Sequence, residues 1–250
     1  MTCFRVAMSY KRAPITEAVV EFRFAEPQEQ SALEKAAASL KDEYFYDEIE
    51  QITQFQVEAG PAIQKPPKVE IYWQGRKLSS LDRADVVIFR KTAFVCSRLA
   101  PYMGWEEFFP RIQRDWSAFR KAAGPIEISR VGVRYVNRID IPVTSTDRVN
   151  TEDYLTYVPR SPETFAPMTQ YVIQSSRPLG EDDLQFGLLS STVPSPLINT
   201  ISLALDLDVF LDGSIPRRED ELWSLLNRMR DHKNSIFEAC ITDRARELFQ

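Results

Sequence analysis

Two stretches of this chain segregate charged from apolar side chains with a period of two, and no other feature constrains the fold as strongly. In residues 126–143, Val131, Val133, Tyr135, Ile139 and Ile141 share one face of an extended strand. Arg130, Arg134 and Arg138 share the other, with Asp140 beside them. In residues 199–211, Ile201, Leu203, Leu205, Leu207 and Val209 are the apolar set, and Asp206 and Asp208 lie opposite, about 7 Å apart along the strand. Residues 15–24 alternate in the same way, with Thr16, Ala18, Val20, Phe22 and Phe24 on one side and Glu17, Glu21 and Arg23 on the other. Successive side chains of a strand point to opposite faces, so each segment has one face to bury and one to leave wet.

The remaining segments supply what buries that face. An Ala-rich helix is expected over residues 29–41 after Pro27, where helix propensity is high. Strand-like runs follow at 49–57, 68–73, 85–90 and 93–99, the last two joined as a hairpin by Lys91-Thr92 without the usual Gly or Asn. Trp105, Phe108, Phe109, Ile112, Trp116 and Phe119 recur at helical spacing over 105–122, with a break or a late first turn expected at Pro110. Ala123-Gly124-Pro125 ends that helix. Strands are expected at 168–175 and 184–190, and a polar loop holding Pro159, Pro162 and Pro167 precedes them. A long amphipathic helix begins near Pro216, with Leu222, Leu225, Leu226, Met229, Ile236 and Cys240 on one side, and Thr242 caps a final short helix. Runs of strands separated by single helices define one α+β domain over 1–250: a long, mostly antiparallel sheet curved around or covered by three main helices. A helix followed by about four strands occurs twice, over 29–99 and 105–211, which raises a duplication in topology though not in residues.

Composition removes several functions. The charge balance is 31 Lys+Arg against 36 Asp+Glu, net −5, which excludes nucleic-acid binding by bulk charge. One His rules out sites needing two imidazoles, and eight Gly leave little for phosphate-cradling loops. No nucleophile elbow, Walker loop, dinucleotide fingerprint or Cys-x-x-Cys is present, so no cofactor and no metal is implied. Cys3, Cys96 and Cys240 have no motif spacing; Cys96 and Cys240 sit among apolar residues and read as buried thiols in a reducing compartment. Residues 1–14 lack the apolar core of a signal peptide. Residues 184–205 carry no charge, but Pro194, Pro196 and Asn199 make them two strands and a loop rather than a membrane span. A cytoplasmic location and no membrane partner follow as expectations.

A site in such a chain is built from Arg, Asp, Glu and Asn on sheet faces. The forked guanidinium groups of Arg130, Arg134 and Arg138 suit a phosphate or carboxylate, and Asp206 with Asp208 offers hard oxygens for a cation. The competing reading is a solvated face laced with cross-strand ion pairs. His232, in Asp231-His232-Lys233-Asn234, flanks the apolar stripe of its helix. Most aromatic residues read as core; Tyr102-Met103-Gly104-Trp105, leading into the second helix, is the exception that could line a pocket.

Five segments, in this order, carry a resemblance: Ala13-Pro14-Ile15-Thr16-Glu17-Ala18, Pro101-Tyr102-Met103-Gly104-Trp105-Glu106, Arg130-Val131-Gly132-Val133-Arg134-Tyr135-Val136-Asn137-Arg138-Ile139, Leu205-Asp206-Leu207-Asp208-Val209-Phe210, and His232 with Asn234 ahead of Phe237-Glu238-Ala239-Cys240-Ile241-Thr242-Asp243. Together they resemble a sporadically distributed, functionally uncharacterised microbial family of chains of about 250 residues. Residues matching its polar pattern are Glu17, Arg134, Asn137, Asp206, Asp208, His232 and Glu238. The resemblance carries no activity. Its patchy occurrence suits mobile genes such as defence or toxin–antitoxin modules.

The expected function is a non-enzymatic binding or regulatory module for a small anion or a protein partner encoded by a neighbouring gene. The candidate binding residues are Glu17, Arg130, Arg134, Asn137, Arg138, Asp206, Asp208 and His232. The alternative is a metal-dependent phosphohydrolase on the same charged face. It lacks the Glu-x-Glu-x-Lys of triphosphate-processing barrels, because Glu17 and Glu21 are four apart.

Overall fold

A computed structural model describes residues 10–56, 68–144, 149–162, 164–165, 168–180 and 183–250. Cys3, Pro167 and the first nine residues of the N-terminal reading lie outside that set. The element order is β1 (Ile15–Phe24), α1 (Gln30–Ser39), β2 (Tyr46–Gln56), β3 (Lys68–Ser79), β4 (Asp85–Arg90), β5 (Ala93–Leu99), α2 (Trp105–Ala123), β6 (Ile128–Pro142), β7 (Val172–Pro178), β8 (Gln185–Val193), β9 (Thr200–Asp212), α3 (Glu219–Cys240) and α4 (Asp243–Glu247). The nine strands form one antiparallel sheet in the order β2-β3-β4-β5-β1-β6-β9-β8-β7. The α+β architecture expected from the alternating strands is the one observed.

Helix followed by four strands does occur twice, yet the spatial repeat is framed one strand earlier. β1 leaves through α1, and the meander β2-β3-β4-β5 returns to pair with it. β6 leaves through residues 143–171, and β7-β8-β9 returns to pair with β6. Each meander is followed by a long helix, α2 or α3. The two leading strands, β1 and β6, pair with each other and join the halves.

The helices cover one face only. Val20, Phe22, Phe94, Val131, Val133 and Val209 pack beneath Leu33 and Ala36 of α1, the stripe of α2 and the first half of α3. Around Trp116 the rings of Phe22, Phe94 and Phe119 lie 4.8–5.8 Å away, centroid to centroid. The same sheet face continues through Ile139, Ile141, Leu203 and Leu205 to meet Phe237, Cys240, Ala245 and Phe249. Cys96 and Cys240 are buried and free, as their neighbours suggested. The Thr242 hydroxyl accepts from the Ala245 N–H and caps α4. Residues 185–193 and 200–212 are the strands, and the turn between them, expected from the uncharged stretch. No helix of the described residues is long and apolar enough to cross a membrane.

Pro110 corrects the expectation of a break, since α2 runs unbroken from Trp105 through it. The proline stands one turn in and faces solvent, where the Glu106 carbonyl it leaves unpaired can take water. β3 is also longer than expected, reaching Ser79. Gly75 accounts for the faded pattern, because a Cβ there would lie 2.0 Å from the Phe89 carbonyl oxygen of β4. The bare glycine also leaves room for Arg90 to reach across β3 and clasp Glu50 of β2 at 2.6 and 3.1 Å.

Candidate functional site: the charged face of the sheet

The face opposite the helices collects most of the expected charges. Glu21 faces Gly132 across the β1–β6 seam, and Arg134 stands opposite Asp208 and one pair from Asp206 on β9. Arg130 lies flat over Gly132, its two Nη atoms donating to Glu21 at 2.9 Å and to Asp208 at 2.6 Å. It thereby ties both halves of the sheet together. Burial pushes the Asp208 carboxyl above its ordinary range, and Arg130 only partly offsets this. Arg134 makes a two-pronged pair with Asp206, 2.9 and 2.5 Å, which holds its guanidinium firmly protonated. Arg138 clasps Asp140 at 3.0 Å, and Asp140 also accepts from Ser202. Glu17 accepts from Ser97 at 2.9 Å. Six of the eight expected residues therefore share one face, each with a partner on the sheet itself.

Asn137 and His232 are not there. Asn137 is odd-numbered like Tyr135 and Ile139, so its side chain turns to the helix side, 2 % exposed. It donates to the Leu205 carbonyl at 3.0 Å, beside the register shift between Ile15 and Glu17, which makes it a structural plug. His232 is on α3, half-buried, with the sheet between it and the arginines. Glu238 is likewise structural. It accepts from Tyr10 at 2.6 Å and Arg246 at 3.0 Å and fastens α4 to α3.

The chemistry available to this face follows from who holds whom. A cation held by Asp206 and Asp208 needs both carboxylates free, and each is held by an arginine. Among the described residues no three Asp, Glu, His or Cys converge to hold a metal. A small anion at Arg134 has to displace Asp206. What remains is a patterned, self-neutralised surface. Its intervening apolar side chains are shielded by the long charged stems, with Val86 and Val95 only 8 % exposed on this uncovered side.

Gly132 makes this arrangement possible, and its replacement is a direct test. A Cβ at Gly132 would lie 2.7 Å from Arg130 Nη1 and 3.2 Å from Asp208 Oδ1, so Gly132→Ala has to displace the tip of the flexible Arg130 side chain and weaken its bonds. The expected loss is about 1–2 kcal/mol in urea unfolding, the worth of charge-assisted bonds at a part-buried site. Gly187→Ala is the control, since its Cβ meets only Asp208 Cβ at 4.0 Å, and it is expected to be neutral. Equal effects in the two variants would show that the Arg130 bridge contributes nothing.

Two buried groups carry charge where the sequence promised only packing. Lys233 occupies the apolar stripe of α3, four residues from Met229 and from Phe237, and is 6 % exposed. Its Nζ lies 3.7 Å above the ring of Tyr135, whose hydroxyl meets that of Tyr102 at 2.7 Å. Of the segment expected to line a pocket, Tyr102 reaches the lysine site through Tyr135, while Met103 and Gly104 line a small pocket beside Asp85, Arg98 and Arg111. Asp115, fully buried in α2, accepts from Tyr44 and from Arg114. The signal for Lys233 was in the sequence as a lysine at a stripe position.

Comparison with protein families and with curated proteins finds no match to this chain. The functional reading therefore stands on geometry.

Proposed function

We propose that this chain is a non-enzymatic binding or regulatory module of the cytoplasm, and that it docks a protein partner against the open face of its sheet. The carrying observation is Arg134, whose side chain is 53 % exposed while both prongs are held by Asp206. A guanidinium fixed in this way presents its remaining edge and its flat face at no further cost in side-chain order, which suits a binding hot spot. Neighbouring Glu17, Asp206 and Asp208 give the face an alternation of sign that an opposing protein surface can match. The partner we assign is the product of an adjacent gene, in keeping with the resemblance to a sporadically distributed microbial family and with a mobile defence or toxin–antitoxin setting.

The test is co-purification and titration with that product, using Arg134→Ala and Asp206→Ala separately. Both variants are expected to keep their unfolding midpoint within about 1 kcal/mol of wild type, as for exposed ion pairs. Arg134→Ala is expected to weaken the complex by about tenfold to a hundredfold. Unfolding of both variants, with no complex in the wild type, makes the charges purely structural and ends the proposal. Release of phosphate from nucleoside triphosphates with Mg²⁺, abolished by Asp206→Asn, overturns it in favour of a phosphohydrolase.

A further inference from the structure

At one corner the sheet thins to two strands. β4 pairs with β3 only over residues 75–79, so residues 51–56 of β2 and 68–73 of β3 stand beyond it as a ribbon. Apolar side chains are exposed on both faces of that ribbon. Val69 and Ile71 are 51 % and 61 % exposed on one face, and Ile52 and its register partner Tyr72 are 51 % and 44 % exposed on the other. Two strands alone are marginally stable in water, and a further strand is what secures them.

β2 is also the outermost strand, and among the described residues none pairs with its free edge. The first half of β2 carries charge, and each charge is matched within the chain. Asp47 is held by Arg76 at 2.8 Å, Glu48 by Arg83 at 3.3 Å and Glu50 by Arg90 at 2.6 Å. The second half, Gln51-Ile52-Thr53-Gln54-Phe55-Gln56, has no charge and no proline. Those are the devices that keep an edge from pairing with another chain. At the opposite edge of the sheet β7 ends in Arg177-Pro178, where the proline withholds its N–H.

We infer that the β2 edge pairs with the same edge of a second copy of this chain, antiparallel about a twofold axis at Ile52. Charge selects the partner, because the matched acids leave nothing on this edge to draw a charged foreign strand. Charge also selects the register. An axis at Ile49 sets Glu48 of one copy against Glu50 of the other, and an axis at Glu50 sets that residue against itself. An axis at Ile52 sets Glu50 against Gln54, a carboxylate opposite an amide, and Ile52 against Ile52. Moving the axis one residue either way sets Ile52 against Glu50 or Gln54 instead. The pairing at Ile52 turns two ribbons into four strands, with Tyr72, Ile52, Ile52 and Tyr72 in one row across the seam. Four strands separate this edge from β6 and Arg134, so this interface and the proposed docking face form independently.

Sedimentation equilibrium of the full chain at micromolar concentrations tests the pairing, and a dimer of twice the chain mass is expected. Ile52→Lys and Ile52→Glu each place like charges directly opposite one another and are expected to weaken the dimer at least about tenfold. Mixing the two variants puts opposite charges in that place, and the heterodimer is expected to regain wild-type affinity. Only an axis through residue 52 gives that rescue. Ile52 is exposed, so both variants fold, which an unchanged far-ultraviolet circular dichroism spectrum verifies. Val172→Lys, on the exposed edge of β7, is the control and is expected to leave the dimer intact. A wild type that stays monomeric, a dimer undiminished by either Ile52 variant, a mixture that does not reassociate, or a dimer lost in Val172→Lys each overturns the inference.

Discussion

Replacing Asp115 with Ala is expected to cost about 3–5 kcal/mol of folding stability, the range for removing one member of a buried ion pair. Asp115 is 0 % exposed on the inner face of α2. Its Oδ2 accepts from the Tyr44 hydroxyl and lies 3.8 Å from the Cys96 thiol, and its Oδ1 accepts from Arg114 at 2.9 Å. Arg111, one turn earlier, donates to the same Tyr44 oxygen at 3.1 Å, to the Ser97 carbonyl at 2.6 Å, and pairs with Asp85 at 3.2 Å. The turn after α1, strand β5 and α2 therefore meet at one carboxylate, and β4 is tied in through Arg111. Burial holds the Asp115 carboxyl above its ordinary range even with two arginines nearby, so desolvation outweighs their attraction. Burial likewise pushes up Tyr44 and Cys96, which keeps both protonated as donors.

Deleting the carboxylate strands those donors and leaves Arg111, whose side chain is 9 % exposed, with Asp85 as its one remaining counter-charge among the described residues. Asp115→Asn is expected to lose less than Ala, because the amide oxygen still accepts from Tyr44. Urea midpoints at constant slope measure both. A loss below about 1 kcal/mol in Asp115→Ala would place this cluster with surface pairs and contradict its burial.

The contrast between Asp115 and the sheet arginines explains what could be read from the sequence. Strands buried on one face must alternate, so β1, β6 and β9 announced their core and their wet side directly. Asn137 was legible by the same parity and belongs with Tyr135 and Ile139; only its place in a family-like motif grouped it with the arginines. β3 was half-read because its run is interrupted at Gly75: residues 68–73 were legible as strand, whereas the inner stretch to Ser79, where Leu78 and Ser79 are buried, was missed. Strand order could not be read at all, since pairing β1 with β6 depends on contacts more than a hundred residues apart. Asp115 and Lys233 were passed over for a related reason. A charge on a helix stripe is recognisable as buried only when the groups that receive it are known, and Tyr44 and Tyr135 come from other elements.

Lys233→Met is the second large effect, and its sign is opposite. The lysine titrates ordinarily at 10.5; burial first, and then Arg230, lower it to about 7 in the folded protein, while Glu238 pulls the other way. From β6 the Tyr135 ring lies over it, a weak substitute for water. Between pH 7 and 10.5 the unfolded chain holds a proton that the folded one lacks. Stability from this group therefore rises with pH across that window, by up to about 1.4 kcal/mol per unit. Well below pH 7 both states hold the proton, and the full penalty of a buried ammonium is present. Methionine keeps the unbranched stem without the charge, so the variant is expected to be more stable by roughly 2–4 kcal/mol at pH 6.5 once the lost ring contact is deducted.

The gap is expected to narrow steadily towards pH 9.5. Tyr102, raised to about 12, and Tyr135, also raised by burial, keep their protons in the folded state and lower stability only above their ordinary value of 10, so they do not disturb this range. Urea unfolding of both proteins at pH 6.5, 8 and 9.5 decides the matter. A gap that stays constant would mean that the ammonium remains charged and hydrated in the folded protein, with the α3 stripe open to water at that turn. A narrowing gap fixes Lys233 as a neutral amine at alkaline pH, enclosed between α3 and the Tyr102–Tyr135 pair.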